Sequence, residues 1–198
     1  DLGLWVVADG MGGHQAGQLA SKAIIDALDD LTRAQPCQAF VDSVRQRVLH
    51  TNQQLLLIGE SQFGGSIVGS TVAILLACDA TAVCLWAGDS RIYRWRAGAL
   101  TQLTRDRAAA ANHAQANVIT RAIGAENTLI LDIGQEPLET GDRFLLCTDG
   151  LNRVVSDAEI TQTFAGDNCL AIAQALLDLA LRRMASDNVT VGVVQAGD

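Results

Sequence analysis

The sequence predicts an α+β domain in which two mainly antiparallel sheets pack face to face, with helix layers on both outer faces. Three observations carry this. The elements run strand, two helices, several strands, two helices, strand, so helices and strands come in blocks rather than in strict alternation. The links at 79–80 and 88–90 are too short for a crossover, so the strands they join are expected to pair as an antiparallel meander. The strand candidates are short, near-continuous apolar runs, the pattern of buried strands.

The first strand covers residues 4–8 and ends in Asp9, followed by Gly10, Met11, Gly12 and Gly13. The glycines let the backbone turn sharply and approach a ligand. Residues 15–34 have helical periodicity, with Ala16, Ala20, Ile24 and Leu28 on one face, and Pro36 closes the segment. A second amphipathic helix is expected over 37–58 with Phe40, Val44, Val48 and Leu55 inward and Gly59 as its C-cap. After a glycine-rich loop at 64–69 come three strand candidates at 71–78, 81–87 and 91–96, then a turn at Ala97-Gly98. Residues 104–118 read as a surface loop or short helix. Residues 129–133 are expected as an edge strand, and 142–147 as a buried strand running into Asp149-Gly150. Ser156 and Glu159 have capping-box spacing for a helix start. A long amphipathic helix follows over 169–184, and Asp187-Asn188 precedes a last strand at 189–194.

With 198 residues the chain is expected to form one domain spanning 1–198. A net charge of −8 argues against a broad nucleic-acid surface, which needs a basic face. The apolar runs have strand length, too short to span a bilayer, so no membrane partner is expected. The five cysteines, at 37, 78, 84, 147 and 169, show no CxxC spacing. They are read as small core hydrophobes in a reducing compartment, and zinc is not expected.

The chemistry is read from Asp9, Asp89, Asp149 and Asp187. Each borders a strongly apolar run and has a small or polar neighbour: Gly10, Gly88, Gly150 and Asn188. A lone Asp-Gly is an ordinary turn signal. Several carboxylates at strand ends are different, because they cannot crowd together in a low dielectric unless cations neutralise them. Two divalent ions would balance four aspartates, and oxygen-only ligation points to Mg²⁺ or Mn²⁺.

Seven stretches, in order, then carry a resemblance. They are Val7-Ala8-Asp9-Gly10-Met11-Gly12-Gly13, Gly69-Ser70-Thr71, Ala87-Gly88-Asp89-Ser90-Arg91, Leu103-Thr104-Arg105-Asp106, Thr120-Arg121-Ala122-Ile123-Gly124, Cys147-Thr148-Asp149-Gly150-Leu151 and Ser186-Asp187-Asn188-Val189-Thr190. Together they resemble the protein phosphatase 2C (PP2C) family of metal-dependent protein serine/threonine phosphatases in its compact bacterial form, over essentially the whole chain. The resemblance implies a four-layer α-β-β-α sandwich. It implies that Asp9 bridges two catalytic Mn²⁺ or Mg²⁺ ions, that the Gly10 carbonyl ligates one, and that Asp149 and Asp187 bind the other. Asp89 with Asp149 would hold the third ion of bacterial members. Hydroxide from a bridging water would attack phosphorus in line, so Asp9, Asp149 and Asp187 act through metal and water rather than as nucleophiles.

The sequence departs from the family pattern in places. The family's first motif, with an Arg for the substrate phosphate and acidic residues near the second metal, lies upstream of the Asp9 strand. Nothing here matches it, and the chain opens inside a strand, so a missing N-terminal strand is expected. Its true absence would mean weak binding at one metal, poor activity and an open sheet edge. Arg33, at the end of a surface helix, is no substitute. Met11 stands where some members have a general-acid His. His14 is a candidate for that role, with a helix-start or solvent role the favoured reading; His50 is expected on a helix surface, and His113 falls in a short flap between Asp106 and Asn117, where a substrate contact is the alternative to a surface position. Asn152-Arg153 also departs from the usual residues after the Thr148-Asp149-Gly150-Leu151 stretch.

The expected activity is therefore hydrolysis of phosphoserine and phosphothreonine on proteins, by a cytoplasmic monomer opposing a cognate kinase pathway. A catalytically impaired PP2C-like domain that binds or regulates a phosphoprotein is the alternative. A module of a sigma-factor switch acting on one phosphoserine protein is a weaker third reading.

Overall fold

The computed structural model describes residues 3–33, 36–106, 121–166 and 168–197. The elements are β1 (Leu4–Val7), β2 (Gly10–Met11), α1 (His14–Asp29), α2 (Cys37–Gln62), β3 (Gly69–Ser70), β4 (Val72–Cys78), β5 (Thr81–Ala87), β6 (Arg91–Arg96), β7 (Ala99–Gln102), β8 (Asp132–Pro137), β9 (Arg143–Cys147), α3 (Asp149–Asn152), α4 (Asp157–Phe164), α5 (Cys169–Arg182) and β10 (Val191–Gln195). Two antiparallel sheets form, ordered β1-β4-β5-β8 and β10-β9-β6-β7, with a miniature β2-β3 pair beside them.

Strand pleating sorts the core into three layers of contact. Val72, Ile74, Leu76, Val83 and Leu85 face the helical layer of α1 and α2, against Ile24, Phe40, Val44 and Leu55. The alternate residues Ala73, Leu75, Cys84 and Trp86 face inward and meet Ile92, Phe144 and Leu146 of the other sheet. That sheet's remaining face, Tyr93, Leu145 and Cys147, packs on Leu151, Ile160, Phe164, Ile172 and Leu176 of α3, α4 and α5. β4, β5 and most of β9 are thus buried on both faces, which is why they read as near-continuous apolar runs rather than alternating ones. The four-layer α-β-β-α sandwich holds.

Several local expectations are corrected. The link Gly88-Asp89-Ser90 does not close a hairpin. β5 is already paired on both sides, with β4 and β8, so β6 crosses to the other sheet and pairs with β9 and β7. Gly88 makes the crossing with φ +105°, and a Cβ there would sit 2.7 Å from Thr71 Cγ2. The first helix stops at Asp29 rather than near 34, and the second continues to Gln62. Gly59 is therefore inside α2, not its cap. Its lack of a side chain admits the returning loop, since a Cβ would lie 2.8 Å from Ser66 O. The edge strand lies at Asp132–Pro137, a few residues later than expected, with alternating exposure. β7 and α3 were not anticipated, because each is only four residues long. The Ser156–Glu159 capping box is present as expected.

The cysteine reading is corrected in part. Cys37 and Cys78 form a disulfide with Cα atoms 5.6 Å apart. The first residue of α2 packs against the last residue of β4, a meeting that a sequence separation of 41 conceals. Cys84 and Cys147 are free and buried, as expected, and Cys169 is free and half-buried.

Candidate metal centre

The topology brings four chain-distant aspartates to one end of the sandwich. β1 and β5 both run antiparallel to β4, so they point the same way, and Asp9 and Asp89 follow their C-terminal ends. β9 and β10 are antiparallel with Cys147 opposite Val191. Asp149, just after β9, and Asp187, just before β10, therefore lie at neighbouring strand ends.

Hydroxyl groups fix the backbone on each side. Asp9 N–H donates to Thr71 Oγ1 at 3.3 Å, while the Asp9 carbonyl accepts from Thr71 N at 2.9 Å and from Ser70 Oγ at 2.9 Å. Thr71 Oγ1 lies 2.7 Å from Ser90 Oγ, which ties Asp9 to the Asp89 crossover. Ser70 exchanges backbone hydrogen bonds of 2.9 Å with Ile123, and Gly124 N donates to buried Asn52 Oδ1 at 2.7 Å, so α2 buttresses the same strand end. On the other sheet, Thr148 Oγ1 accepts from Thr190 N at 3.0 Å and donates to Asn188 O at 3.4 Å, stapling the Asp149 turn to the Asp187 loop. Gly10 packs on α1: a Cβ there would lie 1.9 Å from Gly17 O, so no larger residue fits unless the backbone moves.

The electrostatics show how closely the four aspartates are grouped. Burial, then the fields of Asp149, Asp187 and Asp89 and a side-chain hydrogen bond with Asp149, push the Asp9 carboxyl up to about 7. Burial and Asp149 also raise Asp89, although Arg153 partly offsets them. Asp149 is itself buried, at 7% exposure, and its Oδ1 has no hydrogen-bond partner. Its Oδ2 takes Arg153 Nη2 at 2.5 Å. The carboxylates are not already drawn into a cage: among the described residues no three His, Cys, Asp or Glu side chains form a ready ion site. The two findings differ in kind, since fields act over longer distances than coordination bonds do. By chemistry the residues fit a divalent cation. The donors are oxygens, one buried oxygen lacks a partner, and Asp9 is raised first by burial and then by neighbouring negative charge that a cation would cancel.

A cavity of about 500 Å³ opens beside Asp9, Gly10 and Asp187 and is also lined by His14, Gln18, Ser21 and Thr190. Asp9, Asp89, Asp149 and Asp187, the aspartates named from the sequence, lie at these strand ends, and each of the last three acts on the Asp9 carboxyl. His14 reaches the cavity, whereas His50 is exposed on α2 as expected. Arg33 is exposed and lies near Gly3, at the far end of β1 from Asp9. His113 and most of the flap lie outside the described residues. Residues missed at sequence level are the hydroxyl buttresses, Asn52, and Arg153. The i,i+4 spacing of Asp149 and Arg153 was the available signal for the last.

Comparisons with known proteins agree with this geometry. A family model described as protein phosphatase 2C matches residues 2–178. Serine/threonine phosphatase stp of Listeria welshimeri serovar 6b is 30% identical over 209 residues, covering 96% of this chain and 83% of the relative. Among solved structures, PppA, described as a key regulatory component of T6SS in Pseudomonas aeruginosa, is similar with TM-score 0.94 and 40% identity, covering 98% of this chain and 86% of that one. The catalytic domain of serine threonine protein phosphatase PstP, in complex with 2 manganese ions, is similar with TM-score 0.86 and 33% identity, covering 98% and 88%.

Proposed function

The chain belongs to the protein phosphatase 2C family, and on that premise we propose that its aspartate cluster removes phosphate from serine and threonine side chains of proteins in a metal-dependent reaction. The observation that carries this is the gathering of Asp9, Asp89, Asp149 and Asp187 at strand ends: Asp149 keeps a buried oxygen without a partner, and the Asp9 carboxyl is raised to about 7, first by burial and then by Asp149, Asp187 and Asp89. Asp9, the Gly10 carbonyl, Asp149 and Asp187 would hold two Mn²⁺ or Mg²⁺ ions, with Asp89 at the edge where the family resemblance sets a third. When bound, such ions supply an activated water and neutralise phosphoryl oxygens.

The protein's own residues do the rest. Ser70, Thr71 and Ser90 fix the Asp9 and Asp89 turns so that the carboxylates are preorganised. Thr148 keeps Asp149 and Asp187 in register. The start of α1 lines the cavity with no acidic residue in its first turn and no capping side chain, which favours an incoming anion. His14, on that same turn, is the proposed proton donor to the departing serine or threonine oxygen. The cavity is open enough to admit a phosphorylated side chain on a protein surface.

The substrate is a phosphoprotein, and we place its origin in a serine/threonine kinase pathway and the enzyme in the cytoplasm, as a monomeric single domain. No helix among the described residues is long and apolar enough to cross a membrane. In a reducing compartment Cys37 and Cys78 would be held as thiols, which thiol titration of freshly lysed cells would report.

The test is hydrolysis of a phosphothreonine peptide and of p-nitrophenyl phosphate with Mn²⁺, with chelator, and in Asp149→Asn. Turnover that needs Mn²⁺ and falls by roughly a hundredfold or more in the variant supports the enzyme. A folded, metal-binding protein without turnover supports the impaired regulatory reading instead.

A further inference from the structure

Arg153 is four residues beyond Asp149 and ends the short helix α3, so one helical turn brings its guanidinium back over that carboxylate, Nη2 to Oδ2 at 2.5 Å. The same charge acts on Asp89, the neighbour that Asp149 repels. Asn152 braces the turn from the other side. With its amide oriented to satisfy both atoms, its oxygen accepts from Arg91 at 3.2 Å. Arg91 in turn forks onto Asp106, with contacts of 3.0 and 2.6 Å. The last residue before the flap is therefore joined to the turn that carries Arg153. Asp149 keeps its buried Oδ1 unpartnered, so the guanidinium serves one oxygen and leaves the other for a different cation.

We propose that Arg153 is a tethered cation that competes with a divalent ion for the Asp89–Asp149 edge, so that this protein takes up its outermost ion weakly and neutralises that edge with its own side chain. The geometry supports this reading because a guanidinium held on Asp149 Oδ2 neutralises that carboxylate's charge and repels a divalent ion placed beside it. Arg153 is 42% exposed at its side chain, so it can swing away when an ion arrives. The inference rests on the metal-dependent reading above and deepens it, by naming the residue that sets how many ions are held and how tightly.

The experiment is calorimetric titration of metal-stripped protein with Mn²⁺, comparing wild type, Arg153→Gln, Arg153→Met and Arg153→Lys, with circular dichroism as the check on folding. The two charge-free variants are expected to bind one more Mn²⁺ per chain, or to bind the weakest one roughly tenfold tighter. Asp89→Asn added to Arg153→Gln is expected to remove that gain. Arg153→Lys, which keeps the charge, is expected to stay near wild type. Arg153→Met retains the methylene packing and replaces Arg153→Gln if the latter does not fold. Isotherms of folded charge-free variants that match wild type overturn the proposal while leaving the metal reading intact. A wild-type protein that binds no Mn²⁺ overturns both.

Discussion

Strand β9 has an aspartate at each end, and the fold treats the two in opposite ways. Asp142, before the strand, is buried at 1% exposure, and Arg96 reaches it with two contacts of 2.6 Å. Glu139 N–H adds a third donor at 3.0 Å. Burial works against its charge, but these donors outweigh it and hold the carboxyl below the ordinary range. At the other end of the same strand, Asp149 is also buried, yet one oxygen has no partner and its neighbours Asp9 and Asp89 are raised. Residue type and burial are the same, so the partner decides the role. A carboxylate supplied with all its donors is structural, and a group of carboxylates left short of positive charge is the candidate cation site.

The strongest way to break this contrast is to neutralise Asp142 at one end of β9 and, at the other, Asp9, which sits beside Asp149. Asp9→Asn should lower kcat/KM on a phosphopeptide by roughly a thousandfold while leaving the stripped protein folded. Asp142→Ala should do the reverse. Urea denaturation should show a loss of about 2 kcal/mol, because Glu139 N–H and Arg96 lose their acceptor, with turnover per folded molecule preserved. Equal damage to activity from both variants would end the distinction. Thr71→Val removes the hydroxyl that joins the Asp9 and Asp89 turns and should cost roughly tenfold in kcat/KM, with KM little changed.

The smallest expected effect is in pH dependence, and the two ends again differ in sign. Asp9 titrates near 7 when folded, against an ordinary value of 3.8, so the folded stripped protein keeps a proton that the unfolded chain has released. Stability of the metal-free protein should therefore fall as pH rises from 3.8 towards about 7, and Asp9→Asn should flatten that slope. Asp142 is depressed, so its stabilisation is complete above the ordinary carboxylate range and is lost only as pH drops below it. Melting curves in chelator across this range would separate the two.

Several features could be read without coordinates. The periodicity of Ala16, Ala20, Ile24 and Leu28 marked α1, and the capping box marked the start of α4, because both signals are local. The four candidate aspartates were picked out for a related reason: each borders an apolar run and has a small or polar neighbour, a pattern visible in adjacent letters. What the letters could not state was pairing. The short link after β5 looked like a hairpin, and only the saturation of both β5 edges sends β6 into the second sheet. The Cys37–Cys78 contact, the support of Gly124 by Asn52 and the hold of Arg96 on Asp142 are meetings of the same sort.

The amino-acid order by itself thus determined which groups could do chemistry and which segments had to be buried, since both follow from side-chain type and short-range spacing. The tertiary structure alone decided which carboxylates would have both oxygens supplied with donors and which would keep a buried oxygen unmatched among other carboxylates. That choice depends on distances between strand ends far apart along the chain, and Coulomb energy is set by distance in space rather than by separation in sequence.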